Sequence, residues 1–153
     1  MAGQVKVARV APADRADWER LWQAWQDHME GDVPRPVTDR AWDMMMRAES
    51  GLYALLARAG DGEAVGFANV SATPFAWTGG PILFLQDLYV VDPARGSGIG
   101  EALLKGVYDL ADELGANQVF WMVDEDDSRL QGFYARHGIR TPYLRYMRND
   151  WPW

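Results

Sequence analysis

The chain contains no cysteine. Disulfides, thiolate metal sites and a cysteine nucleophile are excluded together, so any covalent chemistry has to use other groups. Long apolar runs are missing too: none approaches the roughly 18 residues of a membrane span. The opening MAGQVKVARV is too short and too polar for a secretory signal, and a cytoplasmic home with no membrane partner is expected. Positive charge is scarce, with 15 Lys and Arg against 22 Asp and Glu and a net charge of −7. Nucleic-acid binding needs a basic face and is not expected, whereas neutral or cationic partners are favoured. Repeats, low-complexity tracts and internal linkers are also lacking.

What remains is the composition of a globular protein, 48% hydrophobic and 24% charged over 153 residues. That length fits one domain, residues 1–153, around one core. Eight Trp are more than the packing of a small domain needs. Burial is their first reading, and lining a cavity is the second.

Periodicity orders the chain. Lys6 to Val10 reads as a short strand, and Trp18, Leu21, Trp22, Trp25 and Met29 recur at helical spacing as a core-facing stripe. Two prolines between Gly31 and Pro36 break the pattern, and Thr38 stands as a candidate N-cap for a second helix through Ala48. Leu52 to Arg58 and Ala64 to Ser71 flank Gly60-Asp61-Gly62, a hairpin signal, and Ile82 to Val91 reads as a central strand. Ile99, Leu103, Val107, Leu110 and Leu114 form a helix stopped by Gly115. Gln118 to Val123 is then a strand, Ser128 to His137 a helix and Tyr143 to Arg148 a last strand. The order βααβββαβαβ implies an α/β (α+β) fold, with a mixed, mostly antiparallel central sheet covered by helices on both faces.

Between the central strand and its helix stands Arg95-Gly96-Ser97-Gly98-Ile99-Gly100. Small residues let a backbone approach a ligand closely, and a helix N-terminus offers unpaired N–H donors and about half a positive charge. The turn suits a phosphate or pyrophosphate. The plainer reading is a glycine-rich tight turn without ligand. A nucleotide P-loop would continue with Lys and Ser or Thr, yet Glu101 and Ala102 follow. A dinucleotide fingerprint fails as well, because Glu101 or Leu103 falls where its third glycine belongs.

These residues resemble the GNAT family of N-acetyltransferases, whose phosphate turn is written R/Q-x-x-G-x-G/A and is matched by Arg95, Gly98 and Gly100. Phe84-Leu85-Gln86-Asp87-Leu88-Tyr89-Val90, Asp92-Pro93 and the Ile99 to Leu114 helix resemble its central strand and first CoA-binding helix. Leu130 to Gly138, with Phe133-Tyr134, is similar to its closing helix, F/L-Y-x-x-x-G. Asp87 to Val90, Trp77-Thr78-Gly79-Gly80 and Tyr143-Leu144-Arg145-Tyr146 resemble a subgroup of polyamine, diamine and histone-type enzymes.

The resemblance implies acetyl-CoA as co-substrate, no metal, and direct attack of a primary amine through a tetrahedral intermediate. The acceptor would be a polyamine- or diamine-like molecule or a lysine side chain, and a homodimer is expected. The pantetheine arm would pair with backbone at Leu88, Tyr89 and Val90. N–H groups of Arg95, Gly96, Ser97, Gly98, Ile99 and Gly100 would hold the pyrophosphate. The Leu88 N–H would polarise the thioester carbonyl. Tyr134 would protonate the departing thiolate, beside Phe133; the plainer role for this pair is a helix-to-core contact.

Two positions depart from the family's pattern. Polyamine-directed relatives often carry Glu where Gln86 stands, and Gln cannot accept a proton. Asp87 is the nearest substitute, although strand alternation puts it on the face opposite Gln86. Glu30 and Asp32 between the first two helices are other acids for the acceptor site, with Trp25, His28, Gln86 and Asp87 as further contacts. His28 among Trp and Met also fits simple packing. Asp127 stands where the family often has an Asn touching the pantetheine arm; the alternative is an acid stabilising a helix N-terminus. A CoA-binding module that senses without catalysing, and an acyltransferase for longer chains, stay open beside acetyl transfer.

Overall fold

The structure, a computed structural model, describes residues 4–149. The apolar terminus Trp151-Pro152-Trp153, a candidate subunit contact from sequence, lies outside the described residues. The chain divides into two compact units, one ending at Met122 and one beginning at Val123.

The first unit is built on a five-stranded sheet in the spatial order β1-β2-β3-β4-β5. The strands are β1 (Lys6–Arg9), β2 (Leu52–Arg58), β3 (Ala64–Pro74), β4 (Pro81–Val90) and β5 (Val119–Phe120). Every pairing is antiparallel except β4 with β5, which are joined by the crossover helix α3 (Ile99–Leu114). Helices α1 (Arg15–His28) and α2 (Arg35–Met45) follow β1. The mixed sheet with helices on both faces is therefore as the sequence implies.

Each face has its own core. Leu55, Val70, Leu83 and Leu85 pack against Leu103, Leu104 and Val107 of α3, and full burial of each such side chain is worth about 1.5–3 kcal/mol. On the other face Leu56, Phe67 and Tyr89 meet Trp18 and Leu21 of α1 and Trp42 of α2. The Trp18 ring stacks on Trp22 at 5.8 Å and meets Trp42 at 5.5 Å, so burial accounts for much of the tryptophan excess. Arg58 on β2 reaches Asp14 (2.6 Å) and Asp17 (2.8 Å), tying the start of α1 to the sheet.

Four sequence expectations are corrected. Met29 is 60% exposed because α1 stops at His28 and leaves it as the C-cap, off the core-facing stripe. Thr38 is a buried residue inside α2, not its cap; the helix starts at Arg35, where Pro36 fits the first turn, and the Thr38 hydroxyl accepts from Trp22 Nε1 (3.1 Å). The strand expected over Gln118 to Val123 contracts to Val119–Phe120, whose ladder covers only Leu83 and Phe84. No strand forms at Tyr143 to Arg148 among the described residues, and Tyr143, Leu144 and Tyr146 are each at least 80% exposed. Strand-like composition makes a strand only when a neighbour supplies a ladder.

In the second unit α4 (Ser128–Ala135) is capped by Asp127, whose carboxylate accepts from Leu130 N–H at 2.9 Å.

A close approach locks β3 to β4. A Cβ on Gly66 would stand 2.8 Å from the Tyr89 carbonyl oxygen and 3.1 Å from Leu103 Cδ1. Backbone cannot yield as a side-chain tip can. Gly66→Ala should therefore lower the stability of the protein by roughly 1–3 kcal/mol, read from denaturant unfolding; an unchanged midpoint would show that the strands separate freely there.

Candidate active site

The geometry of β4 decides what faces what. Its register on β3 pairs Asp87 with Asn69 but Leu85 with Val70, so Gln86 is one residue too many, a β-bulge. Before the bulge, Leu83 and Leu85 point into the α3 core; after it, Leu88 and Val90 do. Asp87 and Tyr89 are thereby directed toward α1. Uninterrupted alternation, on which the expected opposition of Gln86 and Asp87 rests, does not hold through this point. Gln86 is exposed, and Asp87 is half-buried among side chains of α1 and β3.

Backbone direction follows from the same register. Val91 N–H bonds the Val65 carbonyl (3.0 Å), which puts Val90 and Leu88 at non-hydrogen-bonded positions opposite Gly66 and Ala68. Their N–H and C=O groups face away from β3. On that side β5 pairs only with Leu83 and Phe84, where Phe84 and Phe120 stack at 4.9 Å, so among the described residues of this unit no strand lies on the edge of β4 beyond Phe84. The Leu88 N–H lies on this open edge. The Val90 carbonyl, expected to face the pantetheine arm, accepts from Arg95 Nε at 3.0 Å.

Asp87 has three residues behind it. Its Oδ1 accepts from Trp25 Nε1 (2.9 Å) and its Oδ2 from Asn69 Nδ2 (3.0 Å). Asn69 Oδ1 in turn accepts from Trp18 Nε1 (3.1 Å). Burial pushes the Asp87 carboxyl above its ordinary value of 3.8, and the bonds from Asn69 and Trp25 pull part of the way back. No cation bonds it. His28 is exposed, yet it lies against Trp25 (5.7 Å, 20° between planes) and near Tyr89 (6.3 Å). Arg95 pairs with Asp92 (2.7 Å) and sits 5.7 Å over the Tyr89 ring. Trp25, His28, Asp87, Tyr89 and Arg95 thus lie in one connected group of contacts.

Glu30 and Asp32 do not join it through any bond. Both are exposed on the loop after α1, and neither is ion-paired among the described residues. Glu30 adopts φ 55°, a left-handed value usually left to glycine, at a helix stop where Gly31 N–H reaches the Gln26 carbonyl (2.8 Å) and Glu30 N–H that of Asp27 (3.2 Å). The Gln26 side chain, buried, takes Val33 N–H at 2.7 Å and fixes the loop. Sequence reasoning missed Gln26 and Asn69; a polar residue inside an apolar run, as Asn69 is in Ala64 to Val70, was the available signal for the second.

The glycine turn opens α3. Gly96 (φ 79°) and Gly98 (φ 83°, the N-cap) both take left-handed backbone, and the place a Cβ would occupy on either has nothing within 4 Å. Ser97 Oγ bonds the Ala94 carbonyl and braces the turn. The first N–H groups of a helix have no intrahelical acceptor, so those of Gly98, Ile99 and Gly100 suit a pyrophosphate.

In the second unit Tyr134 packs edge-on to Phe133 at 5.2 Å, and burial, with the Asp127 charge, pushes its hydroxyl above the ordinary value of 10.0. The phenol stays protonated at neutral pH.

A bulged strand with an open edge is followed by a glycine turn on a helix N-terminus, the arrangement that the resemblance to GNAT enzymes leads one to expect. Residues 18–139 match the acetyltransferase (GNAT) family model, and the chain belongs to that family and is an N-acetyltransferase. A D-amino-acid N-acetyltransferase of Saccharomyces cerevisiae is 30% identical over 97% of this chain and 92% of that enzyme. An aminoglycoside N(6')-acetyltransferase type 1 of Stenotrophomonas maltophilia is 30% identical over 92% of this chain and 86% of its own length. Among solved structures, AAC(6')-Iy in complex with a bisubstrate analogue, CoA-S-monomethyl-acetylneamine, shares the fold, with a TM-score of 0.81, 20% identity and coverage of 97% of this chain and 99% of that one.

Acetyl-CoA at a hundredfold excess over its dissociation constant should raise stability by about 2.7 kcal/mol. Valine cannot hold the Gly98 backbone without strain of about 1–2 kcal/mol, and Gly98→Val should abolish the ligand-dependent rise in Tm. A persistent rise in that variant would move the pyrophosphate elsewhere.

Proposed function

We propose that the protein transfers an acetyl group from acetyl-CoA directly to a primary amine that carries a second positive charge, a diamine- or polyamine-like molecule or a lysine side chain. The observation that carries this reading is Asp87, a half-buried carboxylate bonded only by neutral donors beside the open edge of β4. The net charge of −7 and the exposed acids Glu30 and Asp32 support a cationic acceptor. Aminoglycoside acetyltransferases among the relatives support it further.

Acetyl-CoA, when bound, supplies the activated acyl thioester. Backbone N–H groups from Gly96 to Gly100 hold its pyrophosphate, and the Leu88 N–H donates to the acyl oxygen as negative charge grows there, an interaction worth about 3–4 kcal/mol in enzymes that rely on it. Asp87 takes the proton of the ammonium, directly or through a water, leaving the nitrogen lone pair free to bond the acyl carbon. As the carbon–sulfur bond breaks, Tyr134 gives its proton to sulfur; this role rests on the Phe133-Tyr134 to Gly138 pattern and on a hydroxyl that holds its proton. The reading includes a cytoplasmic homodimer, supported by the lack of cysteine and by the exposure of Ile139, Tyr143, Leu144 and Tyr146.

Acetyl-CoA consumption across diamines, aminoglycosides, D-amino acids and lysine peptides tests the acceptor. Dicationic amines should react fastest, and raising salt from about 0.05 to 0.5 M should lower their kcat/KM several-fold as the Debye length falls from roughly 14 to 4 Å. A base works only when deprotonated, so kcat/KM should fall as pH drops through the Asp87 titration, above the ordinary aspartate value, and Asp87→Asn should remove that limb. A faster, salt-independent reaction with a zwitterionic amino acid would refute the charge argument and spare acetyl transfer.

Tyr134→Phe should cut kcat by roughly 10- to 1000-fold with little change in CoA affinity. Unaltered turnover would hand protonation of the thiolate to solvent.

A further inference from the structure

Asn69 is 4% exposed on β3, directly opposite Asp87 in the ladder. It is a buried polar side chain amid Ala68 and Val70, where Val or Ala would satisfy the strand. Its amide has two ends, and its neighbours decide which end goes where. The Trp18 indole N–H can only donate, so the atom it meets at 3.1 Å is the Asn69 oxygen. Trp18 is fully buried and cannot turn to water instead. The NH2 end is thereby aimed at Asp87 Oδ2 at 3.0 Å, while Trp25 Nε1 takes Oδ1 at 2.9 Å. Each carboxylate oxygen has one neutral donor, and both donors lie on the sheet or α1 side of the group.

Resting on Asp87 as the proton acceptor of the reaction, we propose that Asn69 is a positioning residue: clamped by Trp18, it fixes the direction and the charge state of the Asp87 carboxylate. The clamp works in one sense only. A rotated amide would turn its oxygen toward Asp87 and strand the Trp18 N–H, so the network has a single satisfied arrangement, and no buried side-chain polar atom among the described residues lacks a partner. The charged and titratable groups around Asp87 are few. From α1 comes His28, behind Trp25; from β4 comes Tyr89, with Arg95 over its ring; the β3 neighbour that bonds it, Asn69, is neutral. None of these bonds the carboxylate, so the two neutral donors set how readily it ionises.

The test reads Asp87 itself as well as turnover. Carboxyl carbon NMR of the full-length protein, with the Asp87 signal assigned by its loss in Asp87→Asn, gives its titration midpoint without any acceptor. Asn69→Asp keeps an oxygen for Trp18 but replaces the donor to Asp87 by an acid. The midpoint should rise by about one pH unit or more, a change worth about 1.36 kcal/mol per unit. The acid limb of kcat/KM for 1,4-diaminobutane should move with it, and KM for acetyl-CoA should stay unchanged. Trp18→Phe, which frees the amide and keeps a ring in the core, should raise the midpoint by less and tests the clamp if Asn69→Asp fails to fold; Asn69→Ser, whose hydroxyl can still donate, should fall between wild type and Asn69→Asp. An unmoved midpoint in the folded variants would make Asn69 a packing residue and overturn the proposal. Wild-type turnover and pH profile in Asp87→Asn would sink the underlying role of Asp87 instead, a result the NMR titration separates from the first.

Discussion

One extra residue in β4, Gln86, determines what each later residue of the strand can do. A strand has a side-chain period of two, and a bulge shifts everything after it to the other face. Were Gln86 paired in the ladder like its neighbours, with no bulge, Asp87 and Tyr89 would enter the apolar core against α3 and Leu88 would point its side chain at the tryptophans of α1. With it, Leu83 and Leu85 before the bulge and Leu88 and Val90 after it share the α3 side. The acid then meets Trp25 and Asn69. The backbone phase that turns the Leu88 N–H away from β3 belongs to the same register. Side-chain chemistry and backbone donor are thus set by one local irregularity.

The irregularity is held by rigid neighbours. On one side Gly66 brings β3 so near to β4 that a methyl group would collide with the Tyr89 carbonyl. On the other, Trp18 and Trp25 serve both the core and the site: their rings are packed on the sheet face, and their indole N–H groups point at Asn69 and Asp87. An aromatic ring with a single polar tip suits this double duty, because burial fixes the ring and the ring fixes the donor. Composition alone divides the surplus of tryptophan between packing and cavity lining; at these two positions the ring packs while its N–H holds a polar neighbour.

Much of this was legible from the chain. The helical stripe from Trp18 to Trp25, the hairpin around Gly60 to Gly62 and the α3 helix from Ile99 to the Gly115 stop follow from period and punctuation, and they stand. The glycine turn was legible because positive φ at Gly96 and Gly98 demands a residue type that sequence displays. The bulge was not: Gln86 carries no composition signal, since register is a property of two strands and only one is seen at a time. Thr38 misled because a good N-cap residue is also a good acceptor for a buried indole. The final strand misled because Tyr143 to Arg148 has strand propensity and no ladder. The backbone of Glu30 was not legible for the opposite reason, a left-handed helix stop at a residue that rarely takes one.

The state of Asp87 joins two demands that pull apart. As an anchor for an ammonium group it has to be ionised, which favours a low pKa; as a base it has to hold a proton once the amine gives one up, which favours a high one. Burial raises the proton affinity and the Trp25 and Asn69 donors lower it, leaving a carboxylate above its ordinary value and without a bonded cation. The proposed cationic acceptor would complete the balance on arrival: its charge would offset the burial while it is bound, and that offset would shrink when its proton passes to the carboxylate. Neutral Asp87 then sits in surroundings that suit a neutral group. The amide of Gln86 can take part in neither half of that exchange, and Glu30 and Asp32, exposed to water, lack the burial that makes the second half favourable.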